Sequence, residues 1–225
     1  MKDSILTVKQ RIAECCEKTN RDANEIQLVA VSKTVSAALV EQAIENGISL
    51  FGENRVLDAV AKIESVNKEA TWHFIGHLQT NKVHKVIPLF DMIQSVDSVR
   101  LAEKIQIECK KCNKSMNILV QVNTSGESSK YGFAPEETIQ AVERIRALPS
   151  VHIRGLMTIG ALTEDENKIR ACFRLLRDLF EEIKTLDLPN VRMDFLSMGM
   201  SDDYPIAIEE GANMLRIGRA LFSKQ

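Results

Sequence analysis

The chain has 225 residues, a formal net charge of -2, 44% hydrophobic residues and 27% charged residues. That composition belongs to a soluble globular protein with one sizeable core. No basic block marks a nucleic-acid surface, and no apolar run approaches the roughly 20 residues needed to span a bilayer.

The N-terminus, MKDSILTVKQRIAECCEK, is charged and amphipathic. It lacks the apolar region and small-residue cleavage site of a secretory signal, so a cytoplasmic location is expected. A short apolar, β-branched run follows at Gln27–Val31 and delivers Ser32 and Lys33 at its end. Such a run reads as a buried strand. A lysine at a strand end is ordinarily a solvated cap, so Lys33 alone decides nothing. Similar runs recur at Ser49–Phe51, Thr71–Ile75, Met92–Val96, Asn117–Val122, Ile153–Ile159, Phe195–Met198 and Met214–Ile217. Helical patterns lie between them at Ala37–Glu45, Arg55–Val66, Ser98–Lys111, Pro135–Ala147 and Glu166–Leu186, with weaker ones near Thr80–Ile87 and Asp202–Glu210.

Strands alternating with helices predict an α/β fold with a parallel sheet buried on both faces. Closing eight such units gives a single (β/α)₈ TIM-type barrel with an extra N-terminal helix, placed under the barrel bottom. An open doubly wound sheet is the alternative. No Pro/Gly/Ser-rich linker interrupts the chain, so residues 1–225 are expected to form one domain.

The five cysteines are Cys15, Cys16, Cys109, Cys112 and Cys172. Their odd number argues against a disulfide framework. Cys109 and Cys112 form a lone CxxC with no partner pair for zinc. His73 and His77 stand four residues apart in a strand-to-turn segment, not on one helix face, and His84 lies beyond. No metal site is expected from them.

In a barrel, function sits at the C-terminal ends of the strands. Those ends carry Lys33, Glu53-Asn54-Arg55, His77, Gln94-Ser95, Asn123-Thr124-Ser125, Ser201-Asp202 and Arg216 with Gly218-Arg219. LSMGMSDD and MLRIGRALF each run from a strand through a glycine into a helical turn. Such turns suit a phosphate, although Ser201 or Asp202 would equally cap a helix. Arg216 alternates with Leu215 and Ile217 and should face the barrel mouth. It needs a ligand there, or an internal salt bridge with a residue such as Glu53. A lysine and a phosphate cradle at one end fit a class I aldolase or a pyridoxal 5′-phosphate (PLP) protein. Either needs a neutral amine, for which partial burial of Lys33 near Arg216 is expected.

LVAVSKT, LFGENR, WHFIGHLQTNK, QVNTSGESSKYGF, IRGLMTIG, LSMGMSDD and LRIGRALF occur in that order. Together they resemble the pyridoxal phosphate homeostasis protein family, whose members resemble the barrel domain of alanine racemase. The resemblance implies PLP held as an imine on Lys33. It also implies phosphate contacts from Ser201, Gly218 and the backbone at Arg219, Arg216 near the pyridine nitrogen, and Asn54 and His77 lining the pocket. The chain departs from the family pattern at Arg219, where many relatives carry Thr or Ser, and at Ser223, often glycine. Val35 stands where relatives often carry a lysine; if that lysine aids cofactor exchange, Lys130 is the candidate here.

An arginine at the pyridine nitrogen disfavours ring protonation and weakens the ring as an electron sink. The racemase architecture also takes a second base from a partner subunit, and only Tyr131 and Tyr204 are tyrosines here. The expected role is therefore a non-catalytic carrier that buffers or delivers PLP, with effects on amino-acid metabolism. The expected partners are PLP and, transiently, PLP-dependent apoenzymes, with no nucleic acid or membrane and with a monomeric state. A PLP-dependent amino-acid racemase is the alternative.

Overall fold

The computed structural model describes residues 1–222. Ser223 therefore lies outside the described residues. A long helix, α1 (Lys2–Lys18), precedes eight strand-helix units: β1 (Gln27–Val31) and α2 (Ala37–Glu45), β2 (Leu50–Glu53) and α3 (Val56–Ser65), β3 (Thr71–Phe74) and α4 (Val83–Val86), β4 (Met92–Val96) and α5 (Val99–Lys111), β5 (Met116–Gln121) and α6 (Thr138–Ile145), β6 (Val151–Met157) and α7 (Glu166–Thr185), β7 (Val191–Ser197) and α8 (Tyr204–Glu209), β8 (Met214–Ile217) and α9 (Arg219–Phe222). The strands pair in sequence order and β8 returns to β1, so the sheet closes as a parallel barrel rather than staying open.

Local chemistry sets the helix starts. Ser36, Ser98 and Asp165 accept hydrogen bonds from Leu39, Leu101 and Asn167 backbone N–H groups, capping α2, α5 and α7. Each cap satisfies a donor that the first helical turn leaves free.

Strand alternation sorts the apolar side chains into two compartments. Ala30, Phe51, Phe74, Ile93, Ile118 and Leu215 pack outward against the helices. Val29, Met92, Leu119, Met157 and Met214 pack inside the barrel with Leu50 and Phe195. The interior also holds buried polar side chains, Gln94, Ser197 and Arg216 among them, which leaves room for function within the barrel.

Three details differ from the sequence expectation. The helix α1, expected under the barrel, packs against α8 and α9 and reaches the barrel floor only with Lys9. Its Ile5, Val8 and Ile12 are buried, because these residues make a stripe that α8 and α9 cover. Strand β2 continues through Glu53, which the sequence places in the following loop. Strand β7 begins at Val191, well before Phe195. Arg192 and Asp194 hide that start by their polarity, yet they pair with each other, and Asp194 also binds Arg154 of β6 at 2.7 Å.

Strand β6 bends at Gly155, where the β6–β7 register shifts. Gly155 has φ +143°, and a Cβ there would lie 1.9 Å from the Phe195 carbonyl oxygen. Gly155→Ala is expected to destabilise the fold by at least about 3 kcal/mol, combining backbone strain with a clash against neighbouring backbone. Gly126→Ala, at φ +70° with no atom within 4 Å of the new Cβ, should cost only about 1 kcal/mol. Urea denaturation of both variants checks the difference. Equal costs would mean that the β6 bend relaxes freely.

Candidate functional site at the barrel mouth

Lys33 leaves the end of β1 in the turn before α2. The residue before it is firmly held. Ser32 is fully buried, and its hydroxyl donates to Glu53 Oε1 at 2.7 Å. Lys62 of α3 donates to the Ser32 carbonyl and to Glu53 Oε1, each at 2.5 Å. Glu53 shares the outward face of β2 with Phe51, so it serves this helix-side network. It is not the partner of Arg216 that the sequence allowed. Lys33 itself is exposed. The partial burial expected for it is absent, and no hydrogen bond or ion pair among the described residues engages its Nζ.

Arg216 points into the barrel, opposite to Leu215 and Ile217, and is 3% exposed. One guanidinium nitrogen donates to Ser197 Oγ and another to the Thr158 carbonyl, each at 2.6 Å. Both acceptors are neutral. Three of the five N–H donors find no acceptor among the described residues. Burial lowers the guanidinium to about 10, and the charge of Asp203 pulls against that shift. Arg216 is therefore a cation at neutral pH, without a carboxylate in contact among the described residues. Asp203 is itself buried, which pushes its carboxyl upward, while the Met200 N–H and Arg216 pull it down.

A polar chain continues beneath Arg216. Ser197 Oγ donates to Gln94 Oε1 at 2.7 Å, and Gln94 Nε2 reaches His73 Nδ1 at 2.9 Å. To the side, Thr158 Oγ1 donates to the Val122 carbonyl at 2.8 Å and lies 2.9 Å from Thr124 Oγ1. Ser197 and Thr158 escape notice in the sequence, and His73 is read there only as a candidate metal ligand, because each sits inside an apolar strand pattern. A polar residue on the inward parity of a strand is the signal that finds them.

The two glycine turns meet. Ser201 Oγ, after β7, accepts from the Ala220 N–H at the start of α9, at 3.3 Å. Gly218 and Arg219 stand at that start, where N–H groups have no intrahelical acceptor. Gly199 has φ +91°, and a Cβ on Gly218 would come within 3.1 Å of the Val31 carbonyl. Both glycines are thus required by the protein's own packing as well. The Arg219 side chain turns to the surface and pairs with Asp202, both about three-quarters exposed.

Asn54 follows β2, and its buried Oδ1 has no hydrogen-bond partner. His77 follows β3 and lines the same cleft as Asn54, about 300 Å³ in volume. Its Nδ1 lies 2.8 Å from Asp97 Oδ2, and its ring stacks on Tyr131 at 3.7 Å. Tyr204 is buried beside α1, with the Arg11 guanidinium over its ring. Lys130 donates to the Gly160 carbonyl at 2.8 Å and to Glu127 at 2.7 Å, and Val35 is buried in the core. His84 lies on α4, His73 faces the barrel interior, and no group of three His, Cys, Asp or Glu side chains among the described residues could hold a metal ion. Cys109 is buried, which pushes its thiol up to about 11, whereas Cys112 is exposed. No helix among the described residues is long and apolar enough to cross a membrane.

The family model of the alanine racemase N-terminal domain matches residues 8–225. A pyridoxal phosphate homeostasis protein of Haemophilus influenzae is 42% identical over 219 residues, covering 96% of this chain and 92% of its own. The chain belongs to the pyridoxal phosphate homeostasis protein family. The human member is 40% identical over 236 residues, covering 99% of this chain and 86% of its own. Among solved structures, PipY of Synechococcus elongatus with PLP bound superposes with a TM-score of 0.83 at 36% identity, covering 94% of this chain and 100% of its own. An alanine racemase of Clostridium difficile shares the fold, with a TM-score of 0.77 at 16% identity, across 99% of this chain and 56% of its own.

The interior chain gives this family member a measurable pH response. Burial lowers His73 from 6.5 to about 4. Between those values the unfolded chain binds a proton that the native state refuses. Stability is therefore fully present above about pH 6.5 and declines as pH falls towards 4, by about 3 kcal/mol from this residue. His73→Phe should lose that part of the slope. Urea denaturation at successive pH values measures it, and an unchanged slope in the variant would assign the response elsewhere.

Proposed function

We propose that this chain is a PLP carrier, a single binding domain spanning residues 1–225 that buffers and delivers the cofactor. The observation that carries this reading is Arg216. It is a buried cation with neutral protein partners and spare donors, at the same end of the barrel as an unengaged lysine amine. The donor set fits PLP. Asn54 offers a buried, unpartnered carbonyl oxygen, and the Ser201 and Gly218 turns converge where a phosphate would find a hydroxyl and helix-start N–H groups. Family membership and the PLP-bound relative support the same assignment.

When bound, PLP supplies an aldehyde that forms imines and a pyridine ring that withdraws electrons. Lys33 would supply the amine that holds the cofactor through its aldehyde. Ser201, Gly218 and the Arg219 backbone would hold the phosphate, with Asn54 and His77 lining the pocket. Arg216 opposes protonation of any ring nitrogen it meets, which keeps the ring a weak electron sink. The exposed position of Lys33 leaves the linkage open to water and incoming amines, as reversible release requires. Delivery to apoenzymes is then a transient encounter that affects amino-acid metabolism. The carrier acts as a monomer in the cytoplasm.

The rival reading is a racemase-like enzyme. It needs a base opposite Lys33, and His77, held by Asp97 and stacked on Tyr131, is the group at the mouth to test for that role.

Purified protein loaded with PLP should show a visible imine band, and borohydride should fix a pyridoxyl adduct on Lys33, located by mass. Lys33→Ala should lose both. Absence of the adduct in the parent protein would overturn the carrier reading. A second measurement separates carrier from enzyme: α-deuterated alanine or serine should keep its label over hours with the loaded protein. Rapid loss of label would favour the racemase-like reading, and His77→Phe should then abolish that loss.

A further inference from the structure

The opposite end of the barrel also carries a built cavity. About 450 Å³ opens at the barrel floor, where β1, β2 and β3 begin. Leu28 and Leu50 supply an aliphatic wall, Ser49 and Thr71 supply hydroxyls, and Lys9, Gln27 and His73 complete the polar set. No carboxylate side chain lines it among the described residues. The volume falls within the range of small-molecule sites.

His73 is 4% exposed, and the hydrogen-bond chain fixes its tautomer. Arg216 can only donate, so Ser197 accepts from it and passes its own proton to Gln94 Oε1. Gln94 thereby presents its N–H to His73 Nδ1, which must accept. The imidazole hydrogen sits on Nε2. With Nδ1 committed to Gln94, Nε2 is the ring nitrogen left to the floor cavity, and it has no partner among the described residues. An imidazole N–H open to a cavity is a donor that a ligand acceptor or water can engage.

We propose that the barrel floor is a second ligand site, selective for a small aliphatic carboxylate. The Lys9 ammonium, which touches the Gly47 carbonyl at 3.5 Å, supplies the countercharge at the rim. His73 Nε2–H and the hydroxyls of Ser49 and Thr71 supply donors, and the leucines cover the hydrocarbon. An ammonium group would find no countercharge, so a simple or 2-oxo acid is preferred over an amino acid. The site shares no lining residue with the mouth and needs no cofactor there.

The test uses the full-length protein without added PLP, titrated with isobutyrate while the His73 ring nitrogens are followed by NMR. A saturable shift of His73 with millimolar affinity is expected, with no such shift from isobutylamine or from chloride at equal ionic strength. Lys9→Glu, at an exposed position that leaves the fold intact, should weaken the affinity by about tenfold or more. No saturable shift, an equal shift with the amine or chloride, or unchanged affinity in Lys9→Glu would each overturn the proposal. Because no PLP is added and the floor shares no lining residue with the mouth, the result is independent of the carrier reading.

Discussion

One buried cation organises the interior of this barrel. Burying a guanidinium away from water costs several kcal/mol unless it is hydrogen-bonded and electrostatically compensated. Here the direct acceptors are a serine hydroxyl and a backbone carbonyl. The upper barrel is polar because Arg216 must be fed acceptors, and each acceptor needs a further partner. Ser197 turns to Gln94, and Gln94 to His73. The Thr158 carbonyl is offered by a residue whose hydroxyl is tied to Val122 and Thr124. Replacing Arg216 by an apolar residue would strand these groups, so the cation and its chain act as one unit.

A second network acts on the other side of the sheet. Glu53 is fully buried yet faces the helices, where Lys62 supplies the opposite charge and Ser32 donates a hydrogen bond to it. Strand alternation explains how both networks coexist. Ser32 turns outward to Glu53, and the next residue is free to stand over the mouth. Lys33 thus combines a rigid root with an exposed side chain. A strand end without the Glu53–Lys62 anchor would let the turn drift, and the amine would lose its place relative to Arg216.

The barrel was legible from the chain because its strands are short apolar runs at regular spacing. Met92–Val96 and Met214–Ile217 have the limits that the sequence implies. Legibility fails where polarity serves the interior or the sheet surface. Glu53 reads as a loop residue, although it ends a strand, because its neutralising partner Lys62 lies on a different element. The start of β7 is hidden by Arg192 and Asp194, and the pairing of Asp194 with Arg154 of β6 forms only in three dimensions. The inward direction of Arg216 follows from alternation, but its neutral acceptors do not, since Ser197 and Thr158 belong to other strands. Lys33 is the reverse case: its position at a strand end is plain, whereas its exposure depends on how the loops pack.

That exposure bears directly on the proposed role. A lysine meant for turnover of a bound aldehyde gains from a dry, enclosed site, where the linkage is shielded from hydrolysis and charges act strongly. A lysine meant to take up and release an aldehyde gains from the opposite arrangement, because uptake expels water and each release consumes water or an incoming amine. The mouth combines fixed electrostatics at depth, from Arg216, with solvent access at the reactive nitrogen. Deep anchoring favours retention, and surface chemistry favours exchange. A carrier needs both at once, and dividing them between β8 and the end of β1 lets each be set without disturbing the other.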